Sequence, residues 1–147
     1  PNQARFAFGN IELVSKLIDG KFPDYERVIP QHHGKILTIR REGLLHSLLR
    51  AAILTNEKFR GVRLVLSPGS LKIISSNAEQ EEAQEEIELE YSGDTLDVGF
   101  NVTYLLDVLN NVSSETVELH LADANSSALF VLPGNETFKY VVMPMRI

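Results

Sequence analysis

The chain has 147 residues, a hydrophobic fraction of 44% and a net charge of −6. That length is enough for one domain with an ample core, and the acidity argues against a protein that coats nucleic acid along its whole surface. With no cysteine and no tryptophan, disulfides and thiolate metal sites are excluded, which fits a reducing cytoplasm. No apolar run is long enough to span a bilayer and the start carries no signal-peptide pattern. The chain opens at Pro1 directly in strand-like sequence and reads as a piece of a longer protein.

In chain order, Arg5–Phe8 and Ile11–Ile18 read as two strands around Gly9-Asn10, and Gly20 opens a turn. A domain boundary is expected near Glu26. A repeat follows. A strand at Lys35–Arg41 leads to a helix at about Glu42–Leu54, where Leu44, Leu45, Leu48, Leu49, Ala52 and Ile53 form one broad apolar stripe. Val62–Leu66 and Leu71–Ser76 form a hairpin through Ser67-Pro68-Gly69-Ser70, with type II turn chemistry because Gly69 accepts positive φ. A strand near Ile87–Tyr91 closes the first unit. The second runs from a strand at Leu96–Phe100 to a helix at about Asn101–Val112, whose stripe is Val102, Leu105, Leu106, Leu109 and Val112 and whose N-cap is Asn101. Strands at Thr116–Leu121, Ala128–Leu132 and Lys139–Met143 complete it. The same order, strand, helix and three strands, occurs twice, which predicts two half-domains about a pseudo-twofold axis. The fold class is α+β, with two helices side by side on continuous antiparallel sheet.

Two stretches stand out chemically. Glu79, Glu81, Glu82, Glu85, Glu86, Glu88 and Glu90 crowd together, as a solvated edge or as a contact for a basic partner. The final Val141-Val142-Met143-Pro144-Met145-Arg146-Ile147 ends strand pairing at Pro144 and leaves two methionines beside an arginine. Such a tail is expected to line something.

The string Gly20-Lys21-Phe22-Pro23-Asp24-Tyr25 with Arg27-Val28-Ile29-Pro30 resembles a segment of the bacterial DNA polymerase III β subunit family, the sliding clamps. So do Asn56-Glu57-Lys58-Phe59-Arg60-Gly61-Val62-Arg63-Leu64, Gly99-Phe100-Asn101-Val102 with Tyr104, and Met143-Pro144-Met145-Arg146. Four collinear blocks at the family's spacing make the resemblance specific. It implies a DNA-clamp fold, with residues 1–25 as the end of the second clamp domain and its linker, and residues 26–147 as the third.

The resemblance further implies a non-catalytic processivity factor without cofactor or metal. The full-length protein would be a ring-shaped homodimer around duplex DNA, in the bacterial cytoplasm and without membrane contact. DNA binding would be weak and independent of sequence, through Arg41, Arg50 and Arg60; the second helix offers no Lys or Arg and carries Asp107.

Polymerase and clamp-loader subunits would dock short linear peptides in a hydrophobic pocket. Its residues here are Pro23, Arg27, Val28, Phe59, Asn101, Tyr104, Ser127, Val141, Val142, Met143, Pro144, Met145 and Arg146. Methionines repack around different apolar anchors, and Arg27 and Arg146 orient the peptide's polar part. Ile147 stands where many relatives have leucine. Most of the second domain lies outside the chain, so peptide affinity is expected below that of a whole clamp. The subunit interface would use Ile53 and Leu54 beside the acidic Glu79, Glu81, Glu82 and Glu85. Lacking a first domain, this fragment is expected to be monomeric.

Other signals are discounted. His32-His33 point to opposite faces of a strand and lack cysteine or carboxylate partners. Asn101, Asn111 and Asn135 match the short glycosylation pattern with nothing indicating secretion, and Ser126 and Ser127 lack a nucleophile context. Two alternatives stay open at this level: a small α+β hydrolase using His46 or His120 as base, and an acidic scaffold recruiting basic partners. The second predicts binding that collapses with salt, the pocket binding that tolerates it.

Overall fold

The structure, a computed structural model, describes residues 2–22, 24–30 and 34–147, apart from the side chain of Glu136. Pro23 and His32-His33 therefore lie outside the described residues. The chain starts with a hairpin of β1 (Gln3–Phe8) and β2 (Ile11–Lys16), joined through Gly9 at φ +58°. In its register Phe6 faces Leu13 and Phe8 faces Ile11, so four large apolar side chains share one face, all of them exposed. A two-stranded ribbon of this kind is marginal alone. A short helix α1 (Tyr25–Val28), not anticipated from the sequence, is capped by the Asp24 carboxylate accepting from the Glu26 N–H.

The repeat is borne out as element order: β3 (Lys35–Arg40), α2 (Arg41–Ile53), β4 (Gly61–Ser67), β5 (Ser70–Ser76) and β6 (Glu82–Glu88), then β7 (Leu96–Asn101), α3 (Val102–Asn110), β8 (Thr116–Leu121), β9 (Ala128–Leu132) and β10 (Asn135–Val142). The sheet is not continuous, however. It divides into two four-stranded antiparallel sheets, ordered β10-β9-β8-β3 and β6-β5-β4-β7. The first strand of each unit has crossed over to complete the other unit's sheet. Exchanging the units maps one sheet order onto the other, which is the expected pseudo-twofold relation.

Inward positions alternate along the strands as period-2 burial requires. Val62, Leu64 and Leu66 on β4 meet Leu71 and Ile73 on β5 and Val98 and Phe100 on β7, while Leu37 and Ile39 on β3 meet Val117, Leu119 and Leu121 on β8. These residues belong to one cluster with the buried faces of both helices, so the halves share a single core. Burying each such side chain is worth roughly 1.5–3 kcal/mol. The β4–β5 turn has Gly69 at φ +79°, as the type II reading requires.

Two local expectations shift. The α2 stripe is rotated: Leu44, Ser47, Leu48, Ala51 and Ala52 are buried, whereas Leu49 and Ile53 are exposed. Ser47, Ala51 and Ala52 are small, which lets the helix lie close to the sheet, and the buried Ser75 Oγ donates to the Ala51 carbonyl at 2.7 Å. The last strand of the first unit is β6 at Glu82–Glu88, earlier than Ile87–Tyr91, because pairing with β5 aligns Ser76 with Glu82 and Ser70 with Glu88. The acidic run is thus itself the edge strand. Its alternation is carried by Ala83, Glu85 and Ile87 half-buried against Glu82, Gln84, Glu86 and Glu88 exposed.

Candidate partner-binding groove

The tail supplies the site's defining geometry. β10 runs to Val142 as an edge of one sheet. Beyond Pro144, which has no N–H to extend that pairing, the Met145 N–H donates to the Gly99 carbonyl at 2.8 Å, forming an antiparallel bridge. Gly99 lies on β7, one edge of the other sheet, so the tail ties the two sheets together. The approach needs glycine: a Cβ at Gly99 would stand 2.5 Å from the Met145 carbonyl oxygen and 2.8 Å from Ile147. A Cβ at Gly61 on the neighbouring β4 would meet Ile147 at 3.0 Å. Ile147 therefore rests on a surface left flat by two glycines. Together Asn56, Phe59, Gly61, Ser76, Asn77, Met145, Arg146 and Ile147 line a cleft of about 350 Å³.

One wall of that cleft is an aromatic ring held out by a tight loop. The Asn56 Oδ1 accepts from the N–H groups of Lys58 (2.9 Å) and Phe59 (3.3 Å), and the Arg60 N–H donates to the Asn56 carbonyl. Arg60 takes φ +51°, an uncommon conformation for a side chain of its size. It is held there because its carbonyl accepts from the Val102 N–H and its guanidinium donates to the Ala52 carbonyl at 3.2 Å. Asn101 caps α3 by accepting from the Thr103 N–H and donates from Nδ2 to the Phe59 carbonyl. Phe59 stays 57% exposed above this network, with the Lys58 ammonium 5.4 Å from its ring centre. The loop backbone is thus fixed by hydrogen bonds and presents a large apolar side chain to solvent at the cleft.

Of the expected pocket residues, Phe59, Met145 and Arg146 line this cleft. Met143 is 64% exposed and its Sδ accepts from the Ser127 Oγ at 2.9 Å. Tyr104 stands exposed on α3, and Arg27 and Val28 are exposed on α1, outside the cleft. Val142 departs from the expected set: at 2% exposed it belongs to the core, because the strand's alternation turns Val141 outward and Val142 inward. Tyr140, half-buried on β10, has its phenol pushed up by burial and then by nearby Asp107 and Tyr104. The reading of the sequence did not assign Asn56, Gly61, Ser76, Asn77 or Gly99 to the site. Glycine inside a strand, a mark of close backbone approach, is the signal that could have found Gly61 and Gly99.

The expected interface and DNA residues fall into two groups. Ile53 is 78% exposed at the end of α2, Leu54 is half-buried, and Glu79, Glu81 and Glu82 are exposed around the turn into β6. Glu85 is already engaged: the Arg50 guanidinium donates to both its oxygens, at 2.9 and 2.5 Å, and this hydrogen bonding holds the carboxyl below the usual carboxylate range. Arg41 is mostly covered and donates to the carbonyls of Ser114 and Leu109, where it closes the C-terminal end of α3. All three expected DNA-facing arginines thus hold partners within the chain. Among the histidines expected as possible bases, His46 is exposed, and His120 lies 3.0 Å from Glu118 with apolar Ile36 and Leu129 as its register partners. No group of His, Cys, Asp and Glu able to hold a metal, and no helix long and apolar enough to cross a membrane, occurs among the described residues.

Comparison with known proteins agrees with this geometry. Residues 26–146 match the family described as the C-terminal domain of the DNA polymerase III beta subunit. A beta sliding clamp of Pseudomonas putida is 53% identical over 143 residues, covering 97% of this chain and 39% of that protein. That of Escherichia coli K12 is 47% identical over 146 residues, covering 99% and 40%. The crystal structure of the DNA polymerase III subunit beta from Pseudomonas aeruginosa superposes with a TM-score of 0.85 at 51% identity, covering 100% of this chain and 40% of that one. The chain therefore spans about 40% of the length of the relatives it matches. It belongs to the bacterial DNA polymerase III β subunit family, the sliding clamps, and carries that family's C-terminal domain.

Proposed function

We propose that this chain is the partner-docking and ring-closing portion of a sliding clamp, a non-catalytic tether that holds a bacterial polymerase on duplex DNA in the cytoplasm. The observation that carries the docking role is the tail bridge: Met145, fixed on Gly99, and the following Arg146 form a preformed cleft with the exposed Phe59. Preformed apolar clefts with a few polar groups suit short peptide segments, and an arginine at the rim orients their polar part. Asn101, Tyr104, Arg27, Val28, Ser127, Val141 and Met143 extend the surface, and polymerase and clamp-loader subunits are its partners. A Pseudomonas aeruginosa clamp, 51% identical, has been solved bound to griselimycin; that compound is expected to compete for the same surface here.

The test is a heteronuclear NMR titration with a peptide carrying a Gln and a Leu-Phe pair. Shifts centred on Val142–Arg146, Arg27 and Tyr104 are expected, at an affinity little changed by salt. Silence at millimolar peptide overturns the docking role, and a response confined to Glu79–Glu88 that vanishes with salt favours the acidic scaffold.

The division of the chain follows the same reading. Residues 1–25 end the second clamp domain, and the exposed apolar face of the β1–β2 hairpin supports a further layer packing there. Residues 26–147 form the third domain. Ile53, with Leu54 and the acids Glu79, Glu81 and Glu82, is the contact that closes the ring between full-length subunits. The chain alone is expected to sediment as a monomer; a dimer persisting on dilution sinks that assignment. Because Arg41, Arg50 and Arg60 hold internal partners, its own contribution to DNA affinity is expected to be feeble.

A further inference from the structure

The two methionines of this chain sit two residues apart in the same tail, yet in different surroundings. Met145 is half-buried, pinned through its backbone N–H to Gly99, and lines the cleft. Met143 is 64% exposed, and its thioether accepts one hydrogen bond, from the Ser127 hydroxyl at 2.9 Å. A thioether sulfur has two lone pairs, so this contact uses one of them, on a residue that is mostly open to solvent. Cysteine and tryptophan, which would compete for a mild oxidant, are absent from the sequence.

From this placement we propose that Met143 is an oxidation-sensitive position, and that its conversion to the sulfoxide by a peroxide weakens peptide docking in the groove. The proposal rests on the docking role argued above. In the reaction the other lone pair attacks one peroxide oxygen and the O–O bond breaks. The departing hydroxide takes the proton from the transferred oxygen and leaves as water. Sulfur loses two electrons, the peroxide gains them, and one S–O bond forms. The Ser127 hydroxyl, already beside the sulfur, is placed to donate to the new oxygen and hold the polar group over the tail. A flexible apolar side chain becomes a polar, chiral one at an apolar docking surface. The change is reversible: a methionine sulfoxide reductase supplied with a dithiol returns two electrons, releasing water and a disulfide.

The test treats the 147-residue chain with dilute hydrogen peroxide and follows it by tandem mass spectrometry. Trypsin cutting after Lys139 and Arg146 releases both methionines in one peptide, whose fragments report each separately. Binding of a fluorescent peptide carrying a Gln and a Leu-Phe pair is measured before treatment, after it, and after repair with reductase and dithiothreitol. The expected result is oxygen addition at Met143 ahead of Met145, a loss of affinity of roughly tenfold, and recovery on repair. In Met143→Leu, whatever its own affinity, peroxide should change nothing until Met145 reacts. Equal or faster oxidation of Met145, or unchanged binding by a chain oxidised at Met143, overturns the proposal. If the untreated chain fails to bind the peptide, the docking role itself falls and the functional half of the proposal with it; the order of oxidation is read independently of binding.

Discussion

The two halves of the repeat share one scaffold and treat their outer edges oppositely. In the first, β6 is a bare edge: its exposed positions are charged or amide, and its inward Glu85 is bonded to Arg50 on α2. In the second, the equivalent strand β10 keeps going, and its continuation crosses to β7. Acidic residues on an edge suppress random strand addition while leaving the edge readable by a basic counterpart. An edge that runs on into a pinned tail instead creates a cleft. The core has stayed symmetrical and the rims have diverged, so fold and function are separable here by position.

That contrast can be attacked from the core outward. Leu48 on α2 and Leu109 on α3 are both fully buried in the shared cluster. Leu48→Ala and Leu109→Ala should each cost about 2–5 kcal/mol in denaturant unfolding, with one cooperative transition for the whole repeat. Two transitions would mean that the halves are independent. Next comes the pinned edge. Gly99→Val places side-chain atoms where the Met145 carbonyl and Ile147 lie, so about 1–3 kcal/mol of stability and most of the peptide affinity should be lost together. Unchanged peptide binding would show that the tail bridge is not what forms the groove.

The bare edge should respond to acid instead. Glu85 titrates below its ordinary range because Arg50 hydrogen-bonds its charged form. Its contribution is therefore complete above the unfolded carboxylate range, near pH 4.3, and fades as pH falls through the lower folded value. Glu85→Gln should flatten the stability profile below about pH 4.5, as seen in thermal melts across pH; its loss, small because the pair lies at the surface, is complete at neutral pH and vanishes in acid. The smallest effect belongs to Ile53→Asp. With its side chain in solvent, the fold should change by no more than about 0.5 kcal/mol, while association between full-length subunits weakens in sedimentation.

Much of this was legible in the sequence because the periodicities are strong. The β4–β5 hairpin, the Asn101 cap and the doubled element order follow from Pro68-Gly69, from an N-cap residue before an apolar stripe and from simple repetition. Phe59, Met145 and Arg146 were reachable through their motif blocks. What failed did so for physical reasons. The strand at Glu82–Glu88 has only Ala83 and Ile87 as apolar inward residues, so its pattern is weaker than that of Ile87, Leu89 and Tyr91 just beyond; register with β5 decides it. Ser47 and Ala51 carry no strong apolar signal, yet close packing buries them and rotates Leu49 and Ile53 outward. Strand crossover cannot be seen in local patterns at all, since it depends on which distant edge is free. Nor do local patterns show that Arg41, Arg50 and Arg60 have partners within the chain, carbonyls and a carboxylate supplied by other segments.

The crossover also has a consequence for how the chain is made. Among the described residues β3 pairs only with β8, and β4 borders β7, so neither sheet is complete until the second unit has been synthesised. A nascent chain that has left the ribosome only as far as β6 holds a hairpin, a helix and an edge strand, but β3 still lacks its neighbour. Such non-local pairing delays commitment to the native arrangement. It also means that cutting the repeat at its midpoint should release two aggregation-prone halves, able to recover structure only by finding each other.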